Sequence, residues 1–158
     1  MTWKPDVTVA TVAERDGKFL FVEERASGRI VINQPAGHLE DGETFLDAVV
    51  RETLEETAWR FEPQAVVGVY VWRPQHQART FLRVAFSGRL LDHDPARPLD
   101  RGILRTRWLT REQLAGTRLA LRSPLVTQCL DDYLAGARYP LTLISHLIAA
   151  PASLAASG

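Results

Sequence analysis

Residues 37–59 read GHLEDGETFLDAVVRETLEETAW, and the spacing of charges in that stretch decides the fold. The period predicts a helix over Thr44–Thr57. Thr44 is the expected N-cap, and Asp47 three residues on gives a partial capping box. At 100° per residue, Glu52, Glu55 and Glu56 share one face. Phe45 and Val49 lie on nearly the same face, one and two turns earlier, so a face that begins apolar ends as three carboxylates. That is a poor helix end. Like charges at i, i+4 repel by a few tenths of a kcal/mol. Carboxylates in the last turns also oppose the negative end of the helix dipole, at roughly 0.3–1 kcal/mol each. A hard divalent cation explains the cluster, because Mg²⁺ takes carboxylate oxygens together with waters and substrate phosphate. Taken alone, the cluster reads more readily as a solvated acidic patch.

The flanking residues remove that ambiguity. Gly37 is followed after five residues by Glu43, and after seven more by Arg51-Glu52-Thr53-Leu54-Glu55-Glu56-Thr57-Ala58-Trp59. This resembles the Nudix box, in which Gly, Glu, Arg-Glu and Glu-Glu recur at that spacing. Two positions depart: Thr53 stands where an aliphatic residue is usual, and Ala58 where Gly is usual. Thr53 can still turn a methyl to the core. Ala58 leaves the helix exit open, because a left-handed cap costs Ala roughly 1 kcal/mol.

The resemblance implies fold class α/β (α+β), an α/β/α sandwich around a mixed β-sheet. It implies a phosphoanhydride hydrolase dependent on Mg²⁺, with Mn²⁺ as an alternative, and water attacking phosphorus. Glu52, Glu55 and Glu56 would carry the metal, with the carbonyl of Ala36 as a further ligand. Glu52 or Glu55 would act on the attacking water. Glu43 and Arg51 complete the catalytic set as the pair bracing loop against helix. Segments outside the box, from Val7-Thr8-Val9-Ala10 through Asn33–Glu40 to Leu121–Val126, resemble the NudJ-type branch of the family. Those enzymes act on nucleoside di- and triphosphates and on the pyrophosphate ester of the thiamine pyrimidine, releasing orthophosphate. The box reads only the pyrophosphate. It leaves open an oxidised nucleotide, ADP-ribose or a dinucleoside polyphosphate as substrate, and a nucleotide-binding domain without turnover.

Working outward, Val7–Ala13 and Lys18–Glu23 read as strands joined at Asp16-Gly17. A polar loop containing Gly28 leads to a short strand at Ile30–Ile32, and Pro35–His38 reads as loop. After the helix, Val66–Trp72 and Thr80–Phe86 read as strands, 92–101 as loop and Thr106–Leu109 as a strand. A helical turn follows at Arg111–Leu114, and a second helix at Pro124–Ala135, with Ser123 as its cap. Strands do not alternate with helices regularly, which argues against a doubly wound sheet. One domain over 1–139 is expected, with 140–158 an extension. Its apolar residues from Leu141 to Ile148 would pack on the domain or cover a dimer surface, and its small-residue end would fray. Both monomer and homodimer remain open.

The 158 residues carry 19 basic and 19 acidic side chains, for a formal net charge of zero. No global basic field favours a nucleic-acid polymer or an anionic membrane, which leaves a small-molecule phosphoanhydride as partner. Arginine far outnumbers lysine, which suits polyphosphate but equally reflects genomic composition. Cys129 is the single cysteine and sits on an apolar helical face as a small hydrophobe. With no signal-peptide core and no run of bilayer length, the expected location is the cytoplasm. Candidate substrate-binding residues are Arg29, Gln34, His38 and Arg83. Tyr70 and Trp72 share a strand face and read either as a base-stacking pair or as core packing. His76, His93 and His146 are scattered and suggest no zinc site.

Overall fold

A computed structural model describes residues 2–149. The chain runs β1 (Asp6–Arg15), β2 (Lys18–Ala26), β3 (Arg29–Asn33), β4 (Ala36–His38), α1 (Phe45–Thr57), β5 (Trp59–Trp72), β6 (Phe81–His93), β7 (Ile103–Leu109), α2 (Arg111–Ala115), β8 (Ala120–Leu121) and α3 (Leu125–Leu134). A single 3₁₀ turn follows at Leu141–Leu143. The strands form a mixed sheet in the order β5-β6-β1-β2-β3-β8, with β4 added to β1 and β7 to β2.

The central strands are apolar on both faces because both faces are covered. In β1, Val9 and Ala13 join the buried cluster under α1 with Ala48 and Val49. Ala10 and Val12 join the opposite cluster, under α3, with Val126, Cys129 and Leu130. Phe19 and Phe21 against Leu20, and Ala85 against Val84 and Phe86, split the same way. The α/β/α sandwich expected from the sequence is therefore present, with α1 on one face and α3 on the other.

Asp16 and Gly17 both have positive φ, as a two-residue type I′ hairpin turn demands. Ser27 and Gly28 repeat this between β2 and β3, where the sequence suggested only a loop. Only the tip of the β1–β2 hairpin pairs, at Glu14–Phe19 and Arg15–Lys18. Beyond it the strands splay. β1 takes β6 in parallel and β4 antiparallel, while β2 takes β3 and β7. Residues 36–38, expected as loop, thus become a strand, because the splay leaves β1 an edge whose backbone groups must be paired. β5 also differs: it starts directly after α1 at Trp59 and follows β6 through three register shifts. Pro63 beside one shift weakened the periodic signal there.

The segment after α3 returns across the domain. Tyr139 bridges Val66, Leu141 and Ile144 pack on the α1-side cluster, and His146 Nε2 accepts the Phe45 N–H at 3.0 Å. The expected fraying of 151–158 lies outside the described residues. Among those residues no helix is long and apolar enough to cross a membrane.

Candidate active site

Thr44 caps α1 as the sequence indicates. Its hydroxyl accepts the Asp47 N–H, and Asp47 accepts the Thr44 N–H in return. One turn before the end, Arg51 ties loop to helix. Its Nε and Nη2 form a fork on Glu43 at 2.5 and 3.0 Å, and Nη2 also reaches the His38 carbonyl at 3.1 Å. The remaining nitrogen, Nη1, donates to Glu52 at 2.8 Å and Glu55 at 3.2 Å. The Arg51 hydrogen bond holds the Glu43 carboxyl below the usual range. One guanidinium thus positions the box loop and two of the clustered carboxylates.

Carboxylate oxygens of Glu52, Glu55 and Asp100 lie within 4.8 Å of one another. Asp100 lies in the loop before β7, and its N–H donates to the Glu55 carbonyl at 2.9 Å. Asp94 N–H serves the Ala58 carbonyl in the same way. The loop therefore satisfies carbonyls at the C-terminal end of α1, where no basic side chain stands. Asp100 had no signal in the sequence: it is one acid in a proline-containing loop, 45 positions from Glu55, and only the fold brings it in.

Glu56 is 7% exposed, and its Oε2 accepts the Ala36 N–H at 2.9 Å. Burial pushes its carboxyl up to about 9, and the charges of Glu24, Glu52 and Asp100 add to the shift. Burial raises Glu52 as well, against the pull of Arg51. Several hard oxygen donors with excess negative charge in a poorly solvated corner fit a divalent cation. Glu56 is not one of the three that cluster within 4.8 Å, and Ala36, expected to offer its carbonyl, meets Glu56 through its N–H. Gly37 is required beside it, because a Cβ there would fall on the Glu52 carboxyl. No other group of three metal-ligating side chains occurs among the described residues.

Glu52 and Glu56 line a cavity of about 610 Å³, which Arg29, His38, Arg83 and Arg122 also line. Of the four residues expected to touch substrate, Gln34 is the exception. It is 2% exposed, donates to the Val126 carbonyl at 2.7 Å and accepts from Arg83 at 3.2 Å. Both ends of its amide are engaged inside the protein, so it acts on Arg83 instead of reaching the cavity. His38 sits at the rim, 3.4 Å from Asp6. Tyr70 points under α3 and donates to Asp132 at 2.7 Å, whereas Trp72 lines the cavity, stacked on Phe81.

A profile of the NUDIX domain matches residues 2–128. The chain belongs to the Nudix family. It is 42% identical to phosphatase NudJ of Escherichia coli K12 over 142 residues, covering 90% of this chain and 92% of that one. Phosphatase NudJ of Shigella flexneri matches equally. A NUDIX hydrolase from Nitrosomonas europaea superposes with a TM-score of 0.88 at 45% identity, over 93% of this chain and 100% of that one. The chain is therefore a hydrolase, and its family acts on phosphoanhydrides with a divalent metal.

Both departures from the Nudix box are absorbed locally. Ala58 takes the left-handed conformation usual for Gly, at φ 61°, and its N–H still caps Leu54. Its methyl is buried, which offsets part of the backbone cost. Thr53 is fully buried. Its hydroxyl bonds the Val49 carbonyl at 2.7 Å and meets the Thr11 hydroxyl of β1 at 2.6 Å. Thr53→Val leaves the Thr11 hydroxyl buried without a partner and costs about 1–3 kcal/mol. Adding Thr11→Val recovers most of that loss, since neither polar group then remains. Urea unfolding of the two single variants and the double variant checks this, and additive losses would count against the pair. For Asp100→Asn in the same Nudix frame, kcat falls by about ten- to a hundredfold, the range for a group that supports a metal site. The melting temperature should hold, because the Asp100 N–H bond to Glu55 is backbone. An unchanged kcat would remove Asp100 from the site.

Proposed function

We propose that this Nudix hydrolase cleaves a phosphoanhydride bond in nucleoside di- and triphosphates, or in the pyrophosphate ester of the thiamine pyrimidine, using Mg²⁺. The observation that carries this reading is a single cavity lined by the buried acidic face of α1 and by several arginines. The name phosphatase borne by the NudJ relatives, at 42% identity, supports it. Glu52, Glu55 and Glu56 would hold the cation, with Asp100 joining them and Ala36 beside them. A divalent cation there supplies charge neutralisation at the phosphoryl oxygens and acidifies bound water.

The chain's own residues do the rest. Glu52 or Glu55 accepts the proton of the attacking water as it closes on phosphorus. Arg51, engaged with Glu43, Glu52 and Glu55 together, fixes the carboxylates before substrate arrives, so little reorganisation is needed during reaction. Arg29, His38 and Arg83 line that cavity, and in the proposal they bind phosphate oxygens of the substrate. Residues 1–139 carry this activity in the proposal, and 140–158 is an extension.

The test is purified protein with Mg²⁺, and separately Mn²⁺, against nucleoside di- and triphosphates, the thiamine-pyrimidine ester, an oxidised nucleotide, ADP-ribose and a dinucleoside polyphosphate. Orthophosphate and pyrophosphate are scored separately. Turnover of the first two classes with orthophosphate release is expected. Preference for ADP-ribose or a dinucleoside polyphosphate would replace the substrate class. No turnover of any compound, with Mg²⁺ still bound, would leave a binding domain.

A further inference from the structure

Arg83 carries a charge that no carboxylate of the described residues meets in direct contact. It stands on β6 opposite Thr8 of β1 and Tyr70 of β5, on the α3 side of the sheet. It is 5% exposed, yet it lines the cavity. Among the described residues no carboxylate lies within 4 Å of it, in contrast to Arg51, Arg79, Arg105, Arg107, Arg111 and Arg122. Its partners are neutral amides. Nη1 donates to Gln34 Oε1 at 3.2 Å and Nη2 to Asn33 Oδ1 at 3.4 Å. Its Nε–H is enclosed and makes no well-formed hydrogen bond, alone among buried side-chain polar atoms of the described residues.

The surrounding groups do not supply the missing anion. The Cys129 thiol lies beside the guanidinium, and burial keeps that thiol neutral. Glu24 feels the Arg83 charge without touching it: Asn33 lies between them, its Nδ2 donating to Glu24 at 3.2 Å, and Arg122, 3.7 Å from the same carboxylate, is the nearer cation. Guanidinium groups keep their charge in proteins. A buried charge without an opposite partner is strongly unfavourable, and an orphaned buried N–H adds to that. Gln34, itself anchored on the α3 backbone at Val126, nevertheless holds the group in place. Such a residue is maintained for something that enters.

Resting on the phosphoanhydride reading above, we infer that Arg83 is a substrate-binding residue whose guanidinium charge holds an anionic oxygen of the phosphoryl group farther from the carboxylate cluster, with Asn33 and Gln34 as its positioning residues. The charge decides the chemistry. A neutral ring carbonyl would leave the cation uncompensated, whereas a phosphoryl oxygen compensates it. Phe81, two residues away on the same face, is already covered by the Arg79 guanidinium and by Trp72, so no free ring face on Phe81 competes for the organic part of the substrate.

Arg83→Met tests this with methylenebisphosphonate, a non-hydrolysable pyrophosphate analogue that has no base, bound in Mg²⁺ and followed by calorimetry. The expected result is a rise in Kd of about ten- to a hundredfold, as for loss of a charged hydrogen bond. The melting temperature of the ligand-free variant should stay level or rise, because an unanswered buried cation has gone. Unchanged Kd overturns the inference, and assigns Arg83 to the organic moiety or to structure. If Kd and melting temperature both suffer, Arg83→Lys decides. Recovery to within about tenfold of the original Kd sustains the charge argument, and no recovery defeats it. The readout is binding, so it stands apart from the phosphoanhydride reading, whose failure appears as absent turnover by the unmodified protein.

Discussion

Glu52→Gln lowers kcat by about a hundred- to a thousandfold, with a parallel loss of Mg²⁺ affinity. Glu52 is the carboxylate that belongs to both halves of the site. It clusters with Glu55 and Asp100, and it lines the cavity with Glu56. The amide keeps its shape and can still accept from Arg51 Nη1, so the brace between loop and helix survives. What disappears is one negative charge at the proposed cation site. Electrostatic stabilisation of that kind contributes several kcal/mol in the transition state, and each 1.4 kcal/mol is about a factor of ten in rate. Glu56→Gln should behave similarly, because its amide keeps an oxygen for the Ala36 N–H while the charge it would offer a bound cation is lost. Stability moves the other way. In chelator Glu52→Gln should melt at or above the original temperature, since it relieves repulsion among clustered carboxylates, and Glu56→Gln should melt near it, since burial already keeps that carboxyl protonated near neutral pH. In Mg²⁺ the order reverses, because the cation stabilises only the form that binds it well. Steady-state rates across a Mg²⁺ titration, with melting curves in chelator and in Mg²⁺, give all four quantities. Full kcat at saturating Mg²⁺ in Glu52→Gln would remove Glu52 from the metal site.

The parts of this site that were legible in the sequence are those built from neighbours along the chain. Thr44 with Asp47 and Glu52 with Glu55 are set by helical spacing, and Glu43 with Arg51 by the short step from loop to helix, whereas Glu56 turns to the Ala36 N–H and Asp100 takes its place in the cluster. What the sequence did not show depends on strands meeting at long range. Asp100 arrives on a loop that caps a helix end. Thr53 departs from the family pattern in a way that makes sense only once Thr11 is seen across from it. Gln34 and Arg83 both looked like substrate ligands, because polar residues near a phosphate-binding loop all look alike in one dimension. Burial separates them: Gln34 spends both ends of its amide on the protein, while Arg83 leaves an N–H without a well-formed bond. Residues 36–38 were hidden for a related reason. Three residues after a proline carry no periodicity, and they become a strand only because β1 and β2 diverge.

Gly37→Ala should disable the enzyme while sparing the fold, although no ligand is altered. Gly37 lies in β4, paired with Val9, and its φ is not in the left-handed region, so the backbone accepts alanine. The obstacle is the added methyl, which would occupy the place of the Glu52 carboxyl. That carboxyl is the far end of a flexible side chain, and it can swing aside at modest cost, about 0.5–1.5 kcal/mol if it leaves its rotamer. The melting temperature should therefore drop by no more than a few degrees. Catalysis is less forgiving. Displacing Glu52 by the width of a methyl breaks its place with Glu55 and Asp100, and a misplacement of about 1 Å in a positioned site can cost about a hundredfold. Activity should thus fall nearly as far as in Glu52→Gln. The two changes should not add, because each removes the same interaction: in the double variant kcat should match Glu52→Gln alone. Multiplicative losses would show that Gly37 acts through something other than Glu52. If the single Gly37→Ala variant kept its full rate, the close approach of β4 to α1 would have no catalytic meaning.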